Sequence, residues 1–572
     1  MRTTATSAVL KARAIAGTYV VILAWDVLPA KKAKLKGLLG FAIERTELGA
    51  NGTPLESYWM RSIKRFRDKD KGLPPGTPVP TADHPIQSFQ WGDYTARAGH
   101  HYTYRIVPTY GTPKLLTLDH DSAVTIDVRT EPEAGFSAAA AAAAHIRHDV
   151  YFNRGVIGSQ AYAREFDNIP PDPDDPTSPK MVWLSRGLYE ALQQMIGQAK
   201  SERFALRAAL YEFHYQPVVN AFAKAIEAGA DVKIVFDAES DYKVPNLEAI
   251  SRAGLDAAHA IIPRTVTEGI RHNKFVVLLE KNGAGDHEPV AVWTGSTNIS
   301  AGGIFGHSNV GHIVWNKKVA KAYLDYWERL ARNLTPTKLR EPNRTATPTP
   351  TGPPPKNSVV PLFSARDDKE GNETLQWYAD RLADAKEIAC LTVAFNLDEV
   401  FQKVISREND VLRYIVKDDD LGDGEIIGRD RDVLFAAGGY LGENSLVNFL
   451  GERDNPLNRN DYIHTKFMLV DPLSKDPLVV TGSANFSRPS QRINDENMLA
   501  IRGDTRVADI YFGEFMRIFD HHYARYLVRK LTALGKSDPD AGYLKTRADD
   551  WVPTHFDPKS YKAKRRRYFV GD

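Results

Sequence analysis

Cysteine is almost absent from this chain: its 572 residues include one, Cys390. A disulfide within the chain is therefore excluded, which fits a reducing compartment. Long apolar runs are lacking too, and no stretch approaches the roughly 20 apolar residues of a membrane-spanning helix. The nearest imitation is Tyr19-Val20-Val21-Ile22-Leu23-Ala24-Trp25, preceded by Arg2 and Lys11. It is short and β-branched, and Asp26 follows it where a leader peptide would have small residues and a cleavage site. It reads as a strand, and the protein as cytoplasmic. Net charge is also scarce. Against 74 Lys and Arg stand 72 Asp and Glu, a balance of +2, so no global field favours nucleic acid or anionic membrane.

What is present describes a multidomain globular protein. The hydrophobic fraction is 42% and the charged fraction 26%, and the length exceeds what one core supports, so three domains are expected. Residues 1–131 read as all-β, with strands at Val20–Val27, Leu38–Arg45, Tyr102–Pro108 and Ser122–Val128. Tyr102 and Tyr104 share one strand face, Trp25 lies on an early strand and Trp91 mid-domain. That pattern resembles a fibronectin type III or immunoglobulin-like sandwich. Ala138–Ala144 is an alanine run that predicts a helix or helical linker. Arg340–Asn357 is rich in Pro and Thr and predicts an extended crossover.

On either side of that crossover one order of elements repeats. Helical spacing over Trp183–Ala199 precedes a strand at Phe204–Phe213, a helix at Val218–Ala228 and a buried strand at Val232–Phe236. After the crossover, a helix at Leu375–Ala385, a strand at Ile388–Phe395, a helix at Leu397–Ser406 and a strand at Leu412–Val416 follow the same order. Alternating strands and helices imply mixed sheets with helices outside. The fold class expected is an N-terminal all-β sandwich (residues 1–131) followed by two pseudo-symmetric α/β lobes, 132–342 and 358–572, joined by a linker at 343–357.

Each half then ends in the same short cassette. His272-Asn273-Lys274 leads into the apolar run Phe275–Leu279 and then Thr294-Gly295-Ser296-Thr297-Asn298. His464-Thr465-Lys466 leads into Phe467–Val470 and then Thr481-Gly482-Ser483-Ala484-Asn485. A lone His-x-Lys is noise, but the compound pattern found twice says that one active site is built from two halves. On a strand, residues two apart share a face. His and Lys of each cassette should therefore enter a common cleft, with Asn273 and Thr465 pointing away.

Phosphodiester chemistry matches this set. It needs a nucleophile, an acid for the leaving oxygen and positive donors on the non-bridging oxygens. His272 and His464 can supply the first two, Lys274 and Lys466 the charge, and Asn298, Asn485, Ser296 and Ser483 neutral donors. No further carboxylate or histidine falls at metal-ligand spacing near either histidine, so neither metal nor cofactor is expected. Of the 16 histidines, His120, His145, His148 and His555 carry no such company and read as structural.

The arrangement resembles the phospholipase D superfamily. The resemblance covers about residues 145–530 and implies paired α-β-α lobes, a covalent phosphohistidine intermediate and attack by water. The family's cassette carries an Asp five residues after the lysine. Asp471 meets it in the second half, whereas Leu279 stands in the first, with Glu280 one residue late. Asn494-Asp495-Glu496-Asn497 falls where the family places a carboxylate on the histidine Nδ1, and the matching position in the first half is Asn309. Counted within each half, Glu496 would back His464, favouring the charged form that suits an acid. Asn309 would back His272 and leave it neutral and nucleophilic. Decay of the first half is the bland alternative for Asn309.

Glu212 and His214 end a strand before the first cassette and are further candidates for the cleft, Glu212 as a substrate-binding residue. Tyr151-Phe152-Asn153-Arg154-Gly155 resembles a segment of bacterial phospholipase D-like proteins; Arg154 could meet a phosphate or a structural carboxylate. The basic tail Lys562–Arg567 could meet lipid or nucleic acid phosphates, or be a solvated terminus. The substrate implied is a phosphodiester, a phospholipid headgroup first and nucleic acid second, with peripheral membrane contact as a further expectation. Both half-sites lie in one chain, so a monomer is expected. A scaffold role with inert lobes is the reading from another class, and two intact His-Lys pairs speak against it.

Overall fold

The computed structural model describes residues 1–133, 146–368, 370–394, 397–419, 433–442, 448–457, 462–536 and 540–571. The alanine run at 138–144 lies outside the described residues.

The N-terminal region forms two antiparallel sheets. One has the order Arg2–Thr6, Leu10–Ala16, Val21–Val27, Gln90–Asp93; the other runs Leu115–Leu118, His101–Thr112, Gly40–Leu48, Pro54–Trp59, with Val124–Arg129 also on His101–Thr112. Residues of both sheets enter one cluster. Trp25 meets Phe41 edge to face at 5.3 Å, and Tyr102 and Tyr104 are both buried. The Tyr104 hydroxyl donates to Asp93 at 2.7 Å.

The leader-like run 19–25 owes its unbroken apolarity to a second interface. Val21, Leu23 and Trp25 enter the N-terminal cluster, while Val20, Ile22 and Ala24 enter a larger cluster shared with both lobes. A strand covered on both faces has no polar alternation to show. The Met1 amino group and Arg2 also pair with Asp509, on the helix Thr505–Ala533.

The C-terminal segment corrects the expected domain limits. Residues after 540 leave the second lobe and complete the N-terminal core. Ala548, Trp551 and Val552 are buried in it, and the Trp551 indole donates to the Leu38 carbonyl at 3.1 Å. The tail forms the helix Tyr561–Val570. Within it Lys564 pairs with Asp410, Arg565 with Asp520 and Arg566 with Asp26. Those cations serve structural ion pairs between the tail, the second lobe and the N-terminal region.

The two lobes share one topology. In the first, the sheet order is Arg147–Phe152, Val310–Trp315, His287–Gly295, Lys274–Lys281, Phe204–Leu210, Asp231–Asp237, Ile261–Arg264. In the second it is Ser358–Ser364, Glu496–Arg502, Leu478–Gly482, Phe467–Val470, Ile388–Val393, Leu412–Lys417, Val433–Ala437. Numbered within each lobe, both read 1-7-6-5-2-3-4. Strands 2, 3 and 4 are parallel and the other pairings antiparallel. A long helix follows the last strand of each, Lys317–Ala331 and Thr505–Ala533. These helices lie between the lobes: Tyr323 and Tyr326 of one and Tyr511, Phe512 and Phe515 of the other join the shared cluster.

Two local expectations need correction. Helical spacing over 183–199 resolves into Pro179–Ser185 and Leu188–Gly197, broken where Arg186 (φ 47°) and Gly187 (φ 89°) take left-handed conformations. The expected crossover begins as a helix, Pro336–Ala346. Buried Leu339 and Asn343, four residues apart, anchor it. The Asn343 side chain accepts from Arg329 and donates to the Ala365 carbonyl at 3.0 and 2.9 Å. Tertiary contacts here outweigh the poor helix propensity of Pro and Thr.

Candidate active site

Each cassette sits just before and at the start of a central strand, where two lobes meet. Lys274 begins its strand and Phe467, one residue past Lys466, begins the other. The paired sheets bring His272 and His464 face to edge, ring centroids 6.4 Å apart and planes 71° apart. Lys274 Nζ donates to the His272 carbonyl at 2.7 Å, and Lys466 Nζ to the His464 carbonyl at 2.8 Å. Each lysine thus folds back onto its own cassette. Asn273 points away from the cleft. It donates to the Tyr326 hydroxyl (3.1 Å) and accepts from Asn497 of the other lobe (2.8 Å).

The orienting residues are exchanged between halves. His272 Nδ1 donates to Glu496 Oε2 at 2.9 Å, so the first-half histidine is held by a second-half carboxylate. His464 Nδ1 donates to Asn309 Oδ1 at 3.1 Å and lies 3.2 Å from the Ser296 carbonyl. The Asn309 Nδ2 is spent on the Gly303 carbonyl at 2.6 Å, which leaves Oδ1 as the acceptor. This overturns the pairing counted within each half. The reason is geometric: residues 308–309 and 494–496 lie across the lobe boundary from their own cassettes. Ser308 N donates to the Tyr462 carbonyl (2.9 Å) and Asp495 N to the Ile270 carbonyl (2.9 Å), two equivalent clips. A buried ion pair, Arg264 with Asp495, closes the same boundary.

Ser296 and Ser483 also take positions other than those expected. Both are fully buried behind the histidines. Ser296 Oγ donates to Asn309 Oδ1 at 2.7 Å and Ser483 Oγ to Glu496 Oε2 at 2.6 Å. They are therefore the same part in two copies, each steadying the residue that holds the other lobe's histidine. With Nδ1 of both histidines committed as a donor, Nε2 of each is left as a lone pair.

A cavity of about 610 Å³ opens at this point, lined by His272, His464, Asn298, Asn485, Glu212, His214, Tyr242 and His307 among others. Of the site residues named from sequence, His272, His464, Asn298, Asn485 and Glu212 line it, whereas Lys274, Lys466, Asn309, Glu496 and the two serines stand behind that lining. Asn298 Nδ2 donates to Glu212, and the Oδ1 atoms of Asn298 and Asn485 have no protein partner. Tyr211 lies edge-on to His272 at 5.1 Å and beneath Lys274 Nζ at 5.2 Å.

Burial dominates the electrostatics. It lowers His272 to about 4 even beside the opposing Glu496 carboxylate, with Lys274 and Lys466 adding to the depression. His464 is held well below the usual histidine range by burial and Lys466, with His307 adding to the depression only where that ring is itself charged. Lys274 falls to about 8 through burial, against the pull of Glu496 and Glu212. Burial raises the Glu212 carboxyl, opposed by Ser300, Lys274 and other neighbours. Both histidines are thus neutral at pH 7. Among the described residues no group of three His, Cys, Asp or Glu side chains could hold a metal ion.

Asp471 caps rather than catalyses. Its carboxylate accepts the backbone N–H groups of Lys386, Glu387 and Ile388 at 2.8–3.1 Å. At the corresponding place in the first lobe, Leu279 sits at a register shift in its pairing with Pro289. Arg154 lies over the Trp183 ring at 4.2 Å, with no place in the cavity lining. Sequence reasoning passed over His307, which stacks on His464 at 4.6 Å; the signal was its place two residues before Asn309.

The family model described as "Cardiolipin synthase, PLD-like domain" matches this chain in two regions, 192–331 and 443–521, one in each lobe. No curated protein sequence matches the chain. Among solved structures, the chain is similar to phosphatidylserine synthase of Haemophilus influenzae: 14% identity, TM-score 0.42, covering 61% of this chain and 92% of that one. It is also similar to Nuc, a phospholipase D family member of Salmonella typhimurium: 21% identity, TM-score 0.22, covering 33% of this chain and 96% of that one. No helix among the described residues is long and apolar enough to cross a membrane.

Proposed function

We propose that the chain is a metal-independent phosphodiesterase of phospholipase D type that hydrolyses a phospholipid headgroup ester through a covalent phosphohistidine. The observation that carries this reading is the exchanged pair of oriented histidines. Each has its Nδ1 proton fixed from the opposite lobe, and their rings face one another across a cavity that Asn298 and Asn485 also line.

In the first step His272 Nε2 attacks phosphorus, and the leaving oxygen takes a proton from His464. The attacking ring becomes a cation that persists as long as the N–P bond does. Glu496 stabilises that cation, as a buried carboxylate does behind any histidine that gains charge. An amide gives imidazolium no such support, so His464, which takes up a proton from solvent as the anion binds, releases it readily to the leaving oxygen. His272 thus stays the nucleophile, for a reason opposite to the one its expected partner suggested. Lys274 and Lys466 balance the anionic transition state. Neutral His464 then accepts a proton from water, which attacks phosphorus and frees His272.

The lining favours lipid over nucleic acid. Its ionisable side chains include Asp174, Glu212 and Asp418 against Arg252, whereas surfaces that follow a nucleic acid backbone are basic. The first 131 residues belong to the proposal as a fibronectin type III-like sandwich, supported by the shared core around Trp25, Phe41, Tyr102 and Tyr104. A monomer suffices, since one chain supplies both histidines and both orienting residues. The test is a panel of phospholipids and single- and double-stranded nucleic acids offered to purified protein in excess EDTA. Headgroup release that survives chelation is expected. Cleavage of nucleic acid alone would move the protein to the nuclease reading, and activity that EDTA removes and a divalent ion restores would sink the mechanism.

A further inference from the structure

His464 has an amide behind it where His272 has a carboxylate, so something else must steady its charged form. His307 is placed to do so. Its ring lies on that of His464, centroids 4.6 Å apart and planes 30° apart, and it borders the same cavity. The equivalent position in the other half, two residues before Glu496, is Asn494, which donates its Nδ2 toward Glu496 and accepts from Ile270 N at 3.0 Å. Of these two equivalent positions, the one that carries a stacked ring is on the side that lacks the carboxylate, and Tyr211 meets His272 edge-on instead.

The backbone around His307 is clamped by the segment Tyr151-Phe152-Asn153-Arg154-Gly155, for which the chemistry above has no use. Asn153 is fully buried, and its Nδ2 donates to the carbonyls of Ile304 and His307, both at 2.8 Å. Its Oδ1 accepts from Asn309 N at 2.8 Å. One side chain thus fixes the backbone at both His307 and Asn309. Gly155, at φ 59°, approaches so closely that a Cβ there would lie 2.5 Å from the His307 carbonyl.

We propose that His307 is a positioning residue for the acid, its ring face supporting the imidazolium of His464, with Asn153 and Gly155 holding it in place. Burial and the two lysines push His307 down to about 3, so its ring is neutral and presents a π face rather than a second positive charge. The inference rests on the phosphodiesterase reading. It gives the amide-backed histidine a stabiliser of its own, and so predicts an effect confined to leaving groups that need a proton.

The experiment compares His307→Ala, His307→Leu and His307→Phe with wild type on two substrates. One is bis(4-nitrophenyl) phosphate, whose phenolate departs unprotonated; the other is whichever alkyl phosphodiester wild type cleaves. Ala and Leu should lower the alkyl-to-aryl ratio of kcat at least about tenfold. They should also move the alkaline limb of kcat to lower pH, since loss of a stabiliser of the charged form lowers its pKa. Phe, which keeps a ring face, should recover most of the ratio. Equal losses on both substrates, an unmoved pH limb, or Phe as poor as Ala would overturn the proposal. Leu serves where Ala fails to fold. Wild type inactive on both substrates would instead sink the phosphodiesterase reading.

Discussion

The two lobes have one topology and two chemistries. Both place a His-x-Lys before strand 5 and a Gly-Ser-x-Asn after strand 6, and both use the serine to steady the residue that follows thirteen positions later. That residue is an amide in the first lobe and a carboxylate in the second, and each serves the opposite histidine. Asymmetry in charge thus arises within near-symmetry of shape. A phosphoryl transfer needs one histidine that tolerates a lasting positive charge and one that sheds it. A symmetric site would give both rings the same partner and neither the better of the two roles.

The comparison breaks most visibly at the histidines. His272→Ala and His464→Ala should each lower kcat by roughly 10⁵-fold or more, and the double variant should be little worse, because the rings act as a unit. Substantial activity in either single variant would mean two independent sites.

Next in size is the loss of the N-terminal region. Deleting residues 1–131 would strip the core from around Trp551 and unpair Asp509 from Arg2 and the Met1 amino group. Activity on small soluble and on bulky substrates should therefore fall together, alongside a lower Tm. Retained activity on a small diester would show the region to be separable, as its sequence alone suggests.

The asymmetry itself is sharpened by Glu496→Gln against Asn309→Ala. The first should cost about 10²–10⁴-fold in kcat, and the second roughly tenfold. A phosphoryl adduct trapped during turnover should be found on His272 by mass spectrometry. An adduct on His464, or the larger loss at Asn309, would exchange the roles.

The smallest effect concerns Lys274. Its charge is lost as pH rises through about 8, so phosphodiester binding should weaken there. Glu212 favours the charged lysine; removing it in Glu212→Gln should move that limb to lower pH by a fraction of a unit, which a KM–pH profile would read. A limb that stays or moves upward would show that Glu212 does not act on Lys274.

What the sequence revealed was whatever is local. The cassettes were legible because His, Lys, the apolar run and Gly-Ser-x-Asn are contiguous, and the repeated element order because each strand and helix carries its own periodicity. The exchange of Glu496 and Asn309 was not, because counting along one half cannot see a boundary that two halves share. Ser296 and Ser483 were read as facing substrate since a hydroxyl beside a catalytic motif gives no direction until its acceptor is placed. The tail escaped for the same reason: Trp551 announces burial, but not in the core of a region more than 400 residues earlier. Arg565 and Arg566 looked like free charge until Asp520 and Asp26 were brought to them.

The crossed partnership also bears on how such a chain could arise. A lobe of this design cannot orient its own histidine, so an ancestor with one lobe would have worked only as a pair of identical copies. Identical copies must carry the same residue behind both histidines. An amide on one side and a carboxylate on the other become possible only after the two copies are joined in one gene and free to mutate apart. Duplication here would have permitted a division of labour between two rings that a symmetric pair could never encode.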